Sequence, residues 1–135
     1  AQILDLMRKM REELGMAILL ITHDLAVVAE MAHRVIVMYA GQVMEEAKVE
    51  DLFEKPLHPY TVGLLRSIPR MEGDQGRLYV IDGMVPDLAC LPQGCSFHPR
   101  CPEAGPRCRS ERPLLQNVGQ DRRVCCWLHT EKGVN

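Results

Sequence analysis

Residues 16–39, M-A-I-L-L-I-T-H-D-L-A-V-V-A-E-M-A-H-R-V-I-V-M-Y, decide the expected fold of this chain. Residues 16–22 are a short, continuous apolar run, which predicts a strand buried on both faces of a parallel sheet. Asp24 suits the cap of a helix over residues 25–32. Residues 34–39 are a second apolar run and predict a second buried strand.

The flanking residues extend this pattern. An amphipathic helix is predicted upstream from apolar residues at helical spacing, with Gly15 as its C-cap; these residues are Ile3, Leu6, Met7, Met10 and Leu14. Downstream, residues 40–42 predict a turn, and Val43 begins a return strand. The resulting order of helix, strand, helix and strand is typical of an α/β layer architecture.

The second half of the chain has a different character. Short helices are predicted over residues 49–54 and 60–67, a loop over residues 71–76 and a strand over residues 78–81. From Val85 onward the chain is rich in proline and cysteine and has weak periodicity. We therefore expect this part to need a covalent or metal staple.

Composition limits the classes of function. The 135 residues are 47% hydrophobic and 25% charged, which is ordinary for a globular protein. A net charge of −2 gives no electrostatic support for binding nucleic acid. No apolar run approaches the roughly 20 residues that a bilayer requires, and no signal peptide is visible. The chain begins with Ala1 inside an amphipathic pattern, which suggests a piece of a longer protein.

His23 follows the first predicted strand, at the end where open α/β sheets bind ligands. By position alone, the favoured interpretation is that it caps the next helix or fills a loop. The wider string, however, resembles the switch region of ABC-transporter ATPases at Thr22, His23, Asp24, Leu25, residues 35–39, Gly41 and Val43. The resemblance implies that His23 contacts the γ-phosphate of ATP, bound with Mg²⁺, and senses its hydrolysis. It implies only a scaffold role for His33.

Other ATPase motifs do not occur in this sequence. There is no G-x-x-x-x-G-K-[ST] phosphate loop, no signature segment and no Walker B acidic pair. In the ABC family these motifs precede the helix with which this chain starts. Phosphate binding needs the loop amides, the lysine and the Mg²⁺ ligands, so this chain alone should not hydrolyse ATP.

Residues 51–69, D-L-F-E-K-P-L-H-P-Y-T-V-G-L-L-R-S-I-P, resemble a segment of the oligopeptide and dipeptide importer subfamily. Pro59 suits the first turn of the following helix. For His58 and Tyr60 we expect structural packing at the helix entry, because nothing beside them looks catalytic.

All six cysteines lie between Cys90 and Cys126. Three disulfides would need an oxidising compartment, and no export signal is present. Zinc sites usually show tight C-x2–4-C pairs, whereas the intervals here are C-x5-C and C-x6-C before a long loop. An iron–sulfur cluster also needs four thiolates, with variable spacing. The spacing alone does not choose between zinc and a cluster.

The pattern G-C-x-F-x-x-R-C-x-x-A-x-x-x-C followed by V-x-C resembles the C-terminal extension of peptide-importer ATPases. The resemblance implies a [4Fe-4S] cluster, with zinc as the alternative, and the ligands Cys95, Cys101, Cys108 and Cys126. Cys90 and Cys125 are expected to be bystanders, although Cys125 could exchange with its neighbour. We expect His98 and His129 to lie near the cluster without binding it, and Arg100 and Arg107 to stabilise its charge.

Together these features predict an α/β fold made of the C-terminal portion of an ABC-type P-loop nucleotide-binding domain, residues 1–57, and a small irregular Cys-rich extension, residues 58–135. The resemblance implies a parent ATPase that couples ATP hydrolysis to uptake of oligopeptides or dipeptides. Its implied partners are a second ABC ATPase subunit, transmembrane permease subunits and, indirectly, an extracytoplasmic peptide-binding protein. Its implied location is the cytoplasmic face of the plasma (inner) membrane, as a peripheral subunit. The alternatives are an importer of nickel or another small solute, and a non-enzymatic iron–sulfur or zinc-binding regulatory module.

Overall fold

The computed structural model describes residues 2–68 and 79–130. Its helices and strands are α1 (Gln2–Leu14), α2 (Leu25–Met31), β1 (Arg34–Tyr39), β2 (Gln42–Lys48), α3 (Val49–Glu54), α4 (Pro59–Arg66), α5 (Pro106–Ser110), β3 (Gln116–Gly119) and β4 (Arg122–Val124). Two 3-10 turns lie at His98–Arg100 and Trp127–His129. The predicted loop at 71–76, and residue 78 of the predicted strand, lie outside the described residues. Residues 79–81 are described and form no strand, so that prediction is wrong there.

The chain has a small α/β fold with one antiparallel sheet. The strand order is β1-β2-β4-β3, and every neighbouring pair is antiparallel. The prediction of a parallel sheet is therefore wrong for the described residues. Antiparallel neighbours arise because β1 and β2 are joined by a tight turn, in which Ala40 and Gly41 both have positive φ.

Residues 16–22 do not form the predicted buried strand. The backbone there belongs to no sheet, and the side chains of Leu19 and Ile21 are 88% and 92% exposed. A strand buried on both faces needs hydrogen-bonding neighbours and a layer on each side. No strand in the described part of the chain lies beside this segment, so its backbone has no ladder to join.

Strand β1 forms where it was predicted, but only one of its faces is buried. Val37 and Tyr39 point into the core, whereas Ile36 and Met38 are 52% and 55% exposed. This alternation is typical of an antiparallel sheet with one open face. The prediction of a strand is confirmed, and the prediction that both faces are buried is wrong.

Strand β2 is the central strand of the chain's core. The register with β1 shifts between Val37 and Met38, so Met44 is the extra residue of a β-bulge. As a result the consecutive residues Met44, Glu45, Glu46 and Ala47 are all buried. Two of these are carboxylates, and their partners are described below.

The core joins the two halves of the chain. Tyr39 and Met44 from the first hairpin pack with Cys95 and Phe97 from the cysteine-rich half. Strand β4 pairs with β2, so strands from both sides of residue 57 form the sheet. The division at residues 57 and 58 stays a prediction, and the hairpin β3–β4 was not predicted from the sequence.

The first two helices are less well covered than the sheet. Helix α1 forms as predicted, but none of its residues is buried. Helix α2 begins after Asp24, whose Oδ1 accepts hydrogen bonds from the amides of Ala26 at 2.9 Å and Val27 at 3.2 Å. The predicted cap is therefore confirmed. None of the helices in the described residues has the length and apolarity needed to cross a membrane.

Candidate functional site: a cysteine-lined cavity

A small, largely apolar cavity lies between the cysteine-rich half and the entry of α4. Four cysteines line it together with His58, Phe97, His98 and Trp127; these cysteines are Cys95, Cys101, Cys108 and Cys126. They are the four ligands that the sequence resemblance implied. Cys90 is exposed and does not line the cavity.

Gly94 brings the first and third cysteines together. Its φ is +77°, and a Cβ atom there would lie only 2.3 Å from the backbone oxygen of Cys108. This close approach lets the Cys95 amide donate a hydrogen bond to that same oxygen at 2.8 Å. Only glycine combines this backbone conformation with such a short approach. Cys101 follows the 3-10 turn at His98–Arg100, and its amide donates to the His98 carbonyl.

The neighbours Cys125 and Cys126 have different surroundings. The Cys125 amide donates to the Met44 carbonyl at 2.8 Å, and its Sγ donates to the Pro113 carbonyl at 3.1 Å. Cys126 lines the cavity, whereas Cys125 does not. This is the alternation expected when the chain leaves β4 in an extended conformation.

Three of the four cavity thiols disfavour ionisation. Burial raises the pKa of Cys95, Cys101 and Cys126, in the last case to about 12. For Cys126, the charges that Cys101, Cys95 and Cys108 would carry raise the pKa further, although a backbone hydrogen bond with Leu128 lowers it. Four neighbouring thiols can all become thiolates only if a cation compensates their charge.

Arg100 and Arg107 make contacts within the extension, and their expected effect on the charge of a cluster stays a prediction. The Arg100 guanidinium donates to the carbonyls of Ile81 and Asp82, both at 2.9 Å, and Arg107 stacks over the Trp127 ring at 3.5 Å. Both side chains therefore support the fold of the extension. The cation that lowers the pKa of Cys95 and Cys125, against the larger effect of burial, is Arg112, which was not predicted.

The two predicted neighbouring histidines bind backbone carbonyls. His98 Nδ1 lies 2.9 Å from the Cys95 oxygen, and His129 Nε2 lies 2.8 Å from the Leu57 oxygen. Because a carbonyl only accepts, each ring nitrogen must carry the proton in these contacts. His98 lines the cavity, and His129 does not.

A metal centre needs ligands at fixed distances from one another. Within residues 2–68 and 79–130, no group of three or more His, Cys, Asp or Glu side chains is arranged to hold a single metal ion. Tetrahedral zinc at about 2.3 Å from each sulfur would require sulfur–sulfur distances of roughly 3.8 Å. A [4Fe-4S] cluster binds each thiolate through a different iron, so its four ligands stand farther apart. The four thiols line one cavity, so Cys95, Cys101, Cys108 and Cys126 are the side chains that would hold either group.

His58 connects this cavity to the sheet. Its backbone amide donates to the Glu45 carboxylate at 2.8 Å, and its Nδ1 accepts from the Tyr60 amide at 3.0 Å, which caps α4. The ring packs against Phe97 with centroids 5.7 Å apart. Burial lowers the pKa of His58 to about 4, although the Glu45 charge raises it, so the ring is neutral near pH 7. The expected packing role at the helix entry is confirmed.

Glu45 organises the segment that leads into His58, and sequence reasoning missed it. Its fully buried carboxylate accepts from the amides of Leu57 and His58 and from the Arg122 guanidinium at 2.8 Å. Arg122 also donates to the Lys55 carbonyl. The adjacent Glu46 accepts from Arg34 and Arg123. The complementary pairs E-E at 45–46 and R-R at 122–123 were the signal that could have found this network.

His23 lies far along the chain from these groups, in an exposed bend before α2. The cap of that helix is Asp24, whose own amide donates to Thr22 Oγ1 at 3.0 Å. Helix capping therefore does not explain His23, whereas the simpler interpretation that it fills a loop agrees with its exposed bend. His23 does not line the cysteine cavity.

Part of this chain matches a known protein family. Residues 44–108 match the family model described as the oligopeptide/dipeptide transporter, C-terminal region. The matched residues begin in β2 and end at Cys108, so they include the His58 segment and three of the four cysteines of the cavity.

Relatives extend the similarity to almost the whole chain. The oligopeptide transport ATP-binding protein AppD of Bacillus subtilis is 52% identical over 133 residues, which are 98% of this chain and 40% of that protein. The dipeptide transport ATP-binding protein DppD of Escherichia coli is 47% identical over 126 residues, covering 93% of this chain and 38% of that protein. A putative peptide import ATP-binding protein of Brucella ovis is 50% identical over 133 residues, with 93% and 39% covered. The chain thus spans about two fifths of the length of these relatives.

Proposed function

We propose that this chain is the C-terminal part of an ATP-binding subunit that couples ATP hydrolysis to the import of oligopeptides or dipeptides. The observation that carries the proposal is the 52% identity with an oligopeptide transport ATP-binding protein over nearly the whole chain. The other relatives are also named as peptide or dipeptide transport proteins. The phosphate loop and Mg²⁺ ligands for ATP would lie in the part of such a subunit that precedes these residues.

Within that subunit, His23 would contact the γ-phosphate of ATP. Two observations support this role: the side chain is exposed, and Asp24 already caps the neighbouring helix. The exposed apolar residues 16–22 would then become the buried strand of the complete domain, with His23 at its carboxyl end. A neutral or protonated imidazole there can donate a hydrogen bond to a phosphate oxygen.

The test is ATP turnover by the full-length protein carrying His23→Ala, with His33→Ala as the matched control. Removing a donor that acts on developing charge should lower kcat by about 100-fold or more. ATP binding, measured by equilibrium dialysis, should change little because the phosphate loop supplies most of it. Equal activity of His23→Ala and His33→Ala would contradict the assigned role.

The subunit would also hold a [4Fe-4S] cluster on Cys95, Cys101, Cys108 and Cys126. Supporting this proposal, these four thiols line one cavity. Arg112 would stabilise the Cys95 thiolate by its charge, and His98 would fix the backbone of Cys95. When bound, the cluster would supply a four-point crosslink for an extension that has little core of its own.

Iron, sulfide and zinc content of anaerobically purified protein tests the cofactor. We expect the unsubstituted protein to contain iron and sulfide in equal amounts. Cys125→Ser should contain both as well, and Cys126→Ser should lose both. Cys125→Ser is a matched control because that thiol is buried beside Cys126 yet does not line the cavity. Protein that contains stoichiometric zinc and no iron would contradict the cluster and support the zinc alternative.

The remaining parts of the proposal follow from the transporter class. The subunit would work with a second ATPase subunit and with permease subunits, on the cytoplasmic face of the plasma membrane, and an extracytoplasmic peptide-binding protein would deliver the cargo. Co-purification of permease subunits with the tagged full-length protein from detergent-solubilised membranes tests this arrangement. Recovery of the protein without any membrane subunit would speak against it.

A further inference from the structure

We propose that His58 is the positioning residue of the cysteine cavity and that it fixes Cys126 relative to the other three thiols. This inference rests on the proposed cysteine site but concerns a residue that binds no metal itself. His58 is only 1% exposed, and it is held both through its backbone and through its ring.

The first step is the orientation of the ring. His58 Nδ1 accepts the Tyr60 amide at 3.0 Å and therefore carries no proton. The single proton of the neutral ring is then on Nε2, on the opposite edge. The ring lines the cavity that Cys126 also lines, and the Cys125 backbone lies within hydrogen-bonding reach of the ring.

The second step is the common support of both cavity walls. Glu45 holds the His58 amide through its carboxylate, and Glu45 pairs with Val124 in the sheet. The preceding residue, Met44, accepts the Cys125 amide through its carbonyl at 2.8 Å. Two consecutive residues of β2 thus hold the two segments that meet at the cavity. The His58 ring lies at the cavity that both segments line.

The third step separates this role from helix capping. Asn, Asp and Ser are the preferred N-cap residues, so capping α4 does not require an imidazole. An imidazole can use one edge as the cap and the other edge at the cavity wall. We therefore expect the second edge, and not the cap, to set the environment of Cys126.

Two substitutions divide these functions in the full-length protein. His58→Asn retains a side-chain oxygen at the position of Nδ1 and so keeps the cap, but it removes the ring edge. His58→Gln places an amide donor near the position of Nε2. It loses the hydrogen bond from the Tyr60 amide that caps α4. Hydrogen exchange of the Val62 amide, which donates to the His58 carbonyl, reports on the first turn of α4.

In metal-free protein, we expect Cys126 of His58→Asn to be alkylated faster than in the unsubstituted protein, because the ring edge at the cavity wall is lost. Cys125 serves as the internal reference and should keep its rate, and His58→Gln should restore part of the protection of Cys126. In the loaded protein, the electron paramagnetic resonance signal of the reduced cluster should change in His58→Asn.

Each result decides between the roles. An unchanged Cys126 rate in His58→Asn overturns the proposal, and so does equal acceleration of Cys125 and Cys126, because that reports general loosening. Absence of iron and sulfide from the unsubstituted protein would instead overturn the cluster, while the thiol rates would still test His58.

Discussion

Replacing Gly94 by alanine should damage the cysteine cavity more than any comparable glycine substitution in the first hairpin. Gly94 has a φ of +77°, and its added Cβ would lie 2.3 Å from the Cys108 oxygen and 2.8 Å from the Arg109 carbonyl carbon. The left-handed backbone costs alanine about 1–2 kcal/mol. Relief of the clash requires backbone movement and adds about 1–3 kcal/mol, as in other overpacked sites.

Gly41→Ala is the matched control. Gly41 has a φ of +74°, and nothing lies within 4 Å of an added Cβ. This variant should therefore lose only the conformational cost of about 1–2 kcal/mol. The difference between the two variants isolates the contact between the Gly94 segment and the end of α5.

Urea unfolding followed by Trp127 fluorescence measures both variants, because Trp127 is the single tryptophan of the 135 residues and lines the cavity. Alkylation of Cys95 and Cys108 gives a second measurement, since Gly94→Ala should separate the Cys95 amide from the Cys108 oxygen and expose both thiols. Equal losses of stability in Gly94→Ala and Gly41→Ala, with unchanged thiol rates, would refute the reasoning.

Two further predictions concern the buried carboxylates. Glu45→Ala should destabilise the protein by about 3–5 kcal/mol, because it leaves the Arg122 charge and two amides without their acceptor. Thermal unfolding of this variant, compared with that of the exposed control Glu50→Ala, tests this prediction. Burial raises the pKa of Glu46, but Arg34 and Arg123 lower it more, so the net pKa is below its ordinary value of 4.5. The stability from Glu46 is therefore present above that value and lost as the pH falls through the lowered one. The advantage of the unsubstituted protein over Glu46→Gln in urea should shrink between pH 7 and about pH 3; a constant advantage would contradict it.

The sequence predicted the local elements well where turn and cap residues identify them. Asp24 as a cap, Pro59 in the first turn of α4, and the turn before Gln42 were all recognisable from residue type. The choice of the four cavity cysteines came from resemblance to a family. Composition and spacing had left zinc and a cluster equally open.

Pairing between distant segments could not be predicted in the same way. Residues 16–22 have the composition of a buried strand, but composition does not specify which neighbours must be present. The short strands β3 and β4 have too few residues for a periodic pattern. The importance of Glu45 depends on amides at 57 and 58 and on Arg122, and no local rule connects these three places.

The pairing of β2 with β4 also sets an order of events during synthesis. Glu45 and its partner Arg122 are 77 residues apart. At ribosomal rates of about 5–20 residues per second, roughly 4–15 s pass between the synthesis of the two residues. During that interval the nascent hairpin β1–β2 has an open edge, and Glu45 lacks its partner Arg122, whereas Glu46 already has Arg34. A ribosome that stalled after Cys108 would therefore leave three of the cavity cysteines on a chain whose central strand is still unpaired, a form suited to capture by chaperones or proteases.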